Sequence, residues 1–179
     1  NAAAIWIEKG EHIVIRNTRM HDAGNGLFVS SADPNLSREI LRLRPDIHAT
    51  IHVHDDAMIA YFGSGAFTEV KTLSLDLPFI LGKPIHYVPG HVDVEADVSG
   101  VKDFIQDTNA VLLLGHGITT LGRTVSEAYH RLNSVTSESR RNVAAELLAL
   151  AKGSTPLYRG RAEIESMYRH AESIIYPKR

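Results

Sequence analysis

The chain has 179 residues, 44% of them hydrophobic, which suits one domain with a real core and leaves little room for two. Its 19 basic and 21 acidic side chains nearly cancel and no long run of one sign occurs, so no nucleic-acid or anionic-membrane surface is expected and a small-molecule partner fits better. The absence of cysteine excludes disulfides and thiolate metal ligands and makes a cytoplasmic address the default. Apolar stretches such as AVLLLG at 110–115 are far too short to span a bilayer, and no signal-peptide pattern opens the chain.

In chain order, AIWIE at 4–8 and HIVIR at 12–16 alternate enough to be strands, with KGE a plausible turn between them, and GLFVS at 26–30 is a third short strand. LSREILRL places Leu36, Ile40, Leu41 and Leu43 at helical intervals and stops before Pro45, which disfavours helical geometry at Arg44. IHATIHVH is rich in β-branched residues. A period of two puts Ile47, Ala49, Ile51 and Val53 on one face and His48, His52 and His54 on the other.

PIHYVP and AVLLLG are two further strands, the second apolar throughout, as a central strand covered on both sides would be. From Thr124 the pattern becomes helical. TVSE is a capping box, and the helix it opens can run to Gly153 as its C-cap; a last helix covers about 161–174. No linker or repeat divides the chain, so a single domain over 1–179 is expected, one that can lack an N-terminal segment because it starts at Asn1 without an initiator methionine.

The candidate chemistry lies in RPDIHATIHVHDD at 44–56. With 10 histidines in the chain a His-x-His pair alone means little. On a strand, however, residues two apart project from one face about 6 to 7 Å apart at Cα, and two imidazoles so placed can converge on one ion. His52 and His54 meet this condition, whereas His48 lies roughly 13 Å from His52 along an extended strand, too far for the same ion. His116 sits between two glycines directly after a buried strand, where the backbone can turn sharply and expose the ring. These residues suit either a facial three-histidine metal site or a cluster of hydrogen-bonded polar histidines.

RPDIHATIHVH, followed some sixty residues later by LLLGHG and by a helix opening SEAYHRLNSV, resembles the class II aldolase/adducin family over about 30–141. That family includes fuculose-phosphate and rhamnulose-phosphate aldolases, ribulose-phosphate 4-epimerase, and several dehydratases and decarboxylases. The resemblance implies an α/β fold, a three-layer α/β/α sandwich with a largely antiparallel central sheet. It also implies a divalent metal held by His52, His54 and His116, usually Zn2+, with Mn2+, Co2+ or Fe2+ as alternatives, and a homo-oligomer, most simply a tetramer. Asp33 falls where family members carry a proton-transfer acid, although it precedes Pro34 and a helix and is equally suited to N-capping. Glu39 is its substitute.

The family's phosphate-binding loops have only a partial counterpart here, Ser30 and Ser31 as substrate-binding residues. Asp55 and Asp56 stand where relatives more often have small polar residues, and read as solvated strand-end carboxylates. Tyr168 and Tyr176 are candidate proton donors that are also ordinary packing residues. The leading expectation is an aldolase-type C–C lyase acting on a sugar phosphate or hydroxyketone through a metal-stabilised enediolate. The alternatives are a decarboxylase or 4-epimerase using the same site, and a non-catalytic module like the adducin head.

Overall fold

A computed structural model of the chain describes residues 5–8, 27–30, 35–94 and 96–175. Six strands form one sheet: β1 (Ile5–Glu8), β2 (Leu27–Ser30), β3 (Ala49–Val53), β4 (Ile85–Val88), β5 (Ala110–Leu113) and β6 (Gly117–Gly122), in the order β1-β2-β3-β6-β5-β4. The helices are α1 (Asn35–Leu43), α2 (Asp56–Gly63), α3 (Asp76–Leu81), α4 (Val125–Lys152) and α5 (Arg161–Ile175), with two 3-10 turns between β4 and β5. The strand expected at 12–16 and the KGE turn lie outside the described residues.

The expected α/β sandwich is the observed architecture. Antiparallel pairing belongs to the centre, where β6 runs opposite to both β3 and β5, while β1 with β2, β2 with β3, and β4 with β5 pair in parallel. Helices cover both faces. Against one face, Leu36, Ile40 and Leu41 of α1 pack with Val111, Leu113 and Leu121. Against the other, Met58 of α2, Leu77 and Leu81 of α3 and Val135 of α4 pack with Ala110, Leu112 and Ile118. β5 therefore feeds alternate residues to two cores, which is why AVLL is apolar throughout. Each valine or leucine among them, fully buried, contributes about 1.5–3 kcal/mol of transfer free energy.

Two local devices fix the elements around the site. Arg44, 2% exposed, ends α1 by gripping both carboxylate oxygens of Asp46 at 2.7 Å and donating to the carbonyls of Ile105 and Thr108 at 2.8 and 3.0 Å. The Arg-Pro-Asp turn thus ties the entry of β3 to the entry of β5. α4 begins as its sequence predicts: the Thr124 hydroxyl accepts from Glu127 N at 3.1 Å, and Glu127 reaches back to Arg123 N at 2.6 Å. It ends at Gly153, φ 64°, with Ser154 N bonded to the Ala149 carbonyl at 2.9 Å.

Three elements were not expected from the sequence: α2, α3 and β6. The face assignment of β3 also changes at one residue, since Ile47 lies before the strand and joins the α1-side core, whereas Val53 packs on the opposite side.

Candidate metal centre

β3 and β6 are paired in the register His52↔Thr119 and Val53↔Ile118, which carries the end of β3 to the start of β6. His54 follows β3 directly, and His116 occupies the tight turn between β5 and β6. In that turn Gly115 takes φ 78° and His116 N bonds to the Leu113 carbonyl at 2.9 Å. The three imidazoles meet there. Their ligand nitrogens lie within 4.8 Å of one another, with ring centroids 5.0, 5.3 and 4.6 Å apart.

Gly117 makes the meeting possible. A Cβ at this position would stand 2.5 Å from the Val53 carbonyl oxygen, 2.9 Å from His54 Cδ2 and 3.3 Å from His52 Cε1. Only a residue without a side chain lets the two histidines of the β3 end and the turn histidine share one corner.

The electrostatics suit metal ligation. Burial, then the neighbouring His54 and His116, pulls the His52 imidazole down to about 4, and burial together with His116 lowers that of His54. His52 is therefore neutral at pH 7, the state in which imidazole binds a metal, and His54 is biased the same way. His52 Nδ1 lies 2.8 Å from the hydroxyl of the fully buried Thr119. With Thr119 accepting, the proton sits on Nδ1 and Nε2 presents its lone pair.

A cavity of about 340 Å³ opens beside the cluster, bounded by His52 and His116, by Leu113 and Leu114, and on the far side by the loop 89–94 with His91 and Asp93. An ion at the histidines would border space for a small organic molecule.

The family model for the class II aldolase and adducin N-terminal domain matches residues 7–140. The chain belongs to the class II aldolase and adducin family. Solved structures of similar fold include YgbL of Klebsiella pneumoniae, described as a putative aldolase/epimerase/decarboxylase. It has a TM-score of 0.62 at 15% identity, with 74% of this chain and 62% of that one covered. An aldolase II superfamily protein from Pseudomonas syringae gives a TM-score of 0.60 at 20% identity, covering 79% of this chain and 55% of that one. The L-fuculose-1-phosphate aldolase of Thermus thermophilus gives 0.54 at 21% identity, covering 77% and 72%. The chain spans about three fifths of the length of the first two structures. A comparison with curated proteins gave no match.

Within this family fold, the residues singled out in the sequence divide clearly. His52, His54 and His116 come together, and His48 is exposed and apart from them. Asp33, Ser31 and Tyr176 lie outside the described residues, and Ser30 is the last residue of β2, in register with Glu8. Glu39 is engaged by Arg42 at 2.8 Å on its own helix, and that guanidinium holds its carboxyl below the usual range. Tyr168 packs against the α3 and α4 side of the core, where burial raises its hydroxyl to about 12. It lines a separate cavity with Arg44 and Lys83 that contains none of the three histidines.

Asp55 corrects the sequence reading. Instead of a solvated carboxylate it is the N-cap of α2, accepting from Met58 N at 3.0 Å, and its second oxygen pairs with Arg140 of α4. Sequence reasoning also missed Thr119, whose contact with His52 depends on the β3–β6 register, and the loop 89–94, whose residues carry no motif of their own.

Proposed function

We propose that this chain is an aldolase-type lyase in which His52, His54 and His116 hold one divalent ion, Zn2+ in the first instance. The observation that carries this reading is the convergence of three imidazoles, two of them held toward the neutral form, at the mouth of a cavity. Bound there, the ion would act as a Lewis acid for the negative charge that develops as a bond next to a carbonyl breaks, the enediolate chemistry of aldol cleavage. Neutral ligands leave the ion its full positive charge. Thr119 keeps His52 in the ligating tautomer, and Asp33 moves the substrate proton.

The substrate class is a sugar phosphate or hydroxyketone, a reading supported by family membership and by the L-fuculose-1-phosphate aldolases of similar fold. A second reading, decarboxylation or 4-epimerisation at the same site, draws support from the aspartate at the acid position and from the neighbour described as a putative aldolase/epimerase/decarboxylase. A non-catalytic, adducin-like role is disfavoured by the complete histidine set.

We further propose a cytoplasmic homotetramer. Among the described residues no helix is long and apolar enough to cross a membrane. Leu147, Leu148 and Leu150 near the end of α4 are 63, 67 and 79% exposed, an apolar surface suited to a subunit contact. Light scattering that returned a monomer near 19.7 kDa at micromolar concentration would contradict the assembly.

The deciding experiment combines elemental analysis with an activity screen over sugar phosphates, hydroxyketones and hydroxy acids. About one divalent ion per chain is expected, and His52→Ala, His54→Ala or His116→Ala should each remove most of it while the fold survives. Metal-free protein that retains full activity would overturn the proposal.

A further inference from the structure

Helix α2 links two of the three histidines. The β3–β6 pairing ends at Val53↔Ile118 and Asp55 is the N-cap of α2, so His54 lies between the last paired residue of the strand and the first fixed residue of the helix. The helix also closes on the other ligand turn. Met58, Ile59 and Phe62 face Gly115, His116 and Gly117 across a void of only about 10 Å³. A shift of α2 would therefore move the His54 backbone directly and the His116 turn by contact, because groups packed this closely transmit displacement.

Polar contacts dock α2 on α4 at both ends. Near the end of α2, the buried Tyr61 donates its hydroxyl to Oδ1 of the fully buried Asn142 at 3.0 Å, and Asn142 in turn donates to the Lys71 carbonyl at 2.8 Å. At its start, Asp55 serves both helices. One carboxylate oxygen accepts from Met58 N at 3.0 Å, the backbone carbonyl accepts from Ile59 N at 2.9 Å, and the other carboxylate oxygen accepts from the Arg140 guanidinium. The Asp55 side chain is 12% exposed and that of Arg140 55%, so solvent screens the open side of the pair and its weight in overall stability is small. Its effect is directional. It holds the start of α2, one residue from a ligand, against a helix anchored apart from this pair, where the buried Arg131 donates to the Leu121 carbonyl at 2.6 Å.

We propose that Arg140 is a positioning residue of the metal centre: through Asp55 it fixes the start of α2, and with it the approach of His54 to the ion. This rests on the metal reading above. Two simpler roles predict other outcomes. A guanidinium acting only through its charge would repel a divalent ion, so its removal would tighten binding. A pair that only adds stability would leave the affinity of the folded protein unchanged. Positioning predicts weaker binding, since the imidazoles must be held close to the bonding geometry of the ion.

The test measures zinc affinity by competition with a chromogenic chelator, on the whole chain, with folding checked by circular dichroism. Arg140→Met should weaken zinc binding about three- to tenfold. In an Asp55→Asn background, where asparagine still caps the helix but carries no charge, Arg140→Met should cause no further loss. Arg141→Met is the control: Arg141 is 52% exposed on the same helix and pairs with Glu138 instead of Asp55, so zinc affinity should stay near that of the wild type.

Zinc binding by Arg140→Met as tight as that of the wild type, or tighter, would overturn the inference alone. So would a loss that persists in the Asp55→Asn background, or an equal loss in Arg141→Met. Wild-type protein that binds no zinc would overturn the metal reading and this inference together.

Discussion

His52 and Thr119 face each other across the β3–β6 pair with Nδ1 2.8 Å from Oγ1, so a buried hydroxyl on one strand, when it accepts, would hold the proton of the imidazole on the next at Nδ1. Thr119→Val keeps the β-branched shape and removes that partner. Zinc affinity, measured by competition with a chromogenic chelator, should fall by about 10- to 100-fold with little change in fold. Unchanged affinity would mean that the contact does not orient the ligand.

Gly117→Ala probes the close approach of the two strand ends. The added Cβ meets the Val53 backbone oxygen at 2.5 Å, an atom that cannot move without displacing β3. A loss of about 1–3 kcal/mol is expected in urea unfolding, together with weakened metal binding. A variant as stable as the wild type would show that the strand pair can open at this corner at no cost.

Acid should loosen the metal-free protein through His52. Its folded-state value, about 4, lies below the ordinary 6.5, so between these values the unfolded chain binds more protons than the folded one. The stability associated with neutral His52 is therefore fully present above about pH 6.5 and is lost as the pH falls toward 4. Unfolding midpoints of the wild type and His52→Gln, compared at pH 7.5 and 5, should show a steeper fall for the wild type. Parallel lines would remove His52 from the account.

Asp33→Asn separates the two roles open to that residue. As the proton-transfer acid, its loss should lower turnover by about 10² to 10⁴ with metal content and melting temperature near wild type. Asparagine caps a helix about as well as aspartate, so a purely structural Asp33 would give a nearly silent variant.

Much of the fold was legible because it is written locally. Both ends of α4 follow from Thr124, Glu127 and Gly153, whose roles need only neighbours within a few residues. β5 could be read from four consecutive apolar residues, and the His52, His54 pair from the period of a strand. β6 was hidden because Gly117 and Gly122 resemble loop glycines. They are glycines because other chain segments press against them: Gly122 has no room for a Cβ beside Ala128 N and Thr124 O, at 2.4 and 2.5 Å. α2, DAMIAYFG, was hidden because its nearly uniform apolarity shows no helical stripe.

Sequence by itself determined the α/β class, the main helices and strands, and which histidines can act together, since these depend on periodicity, caps and residue chemistry. Tertiary structure decided the rest. The β3–β6 register placed Thr119 on His52, the β5–β6 turn brought His116 to His54, and the packing of α4 against α2 paired Arg140 with Asp55. Each of these contacts joins residues more than sixty positions apart. Their geometry is set by strand register and helix docking, which no local pattern in the chain encodes.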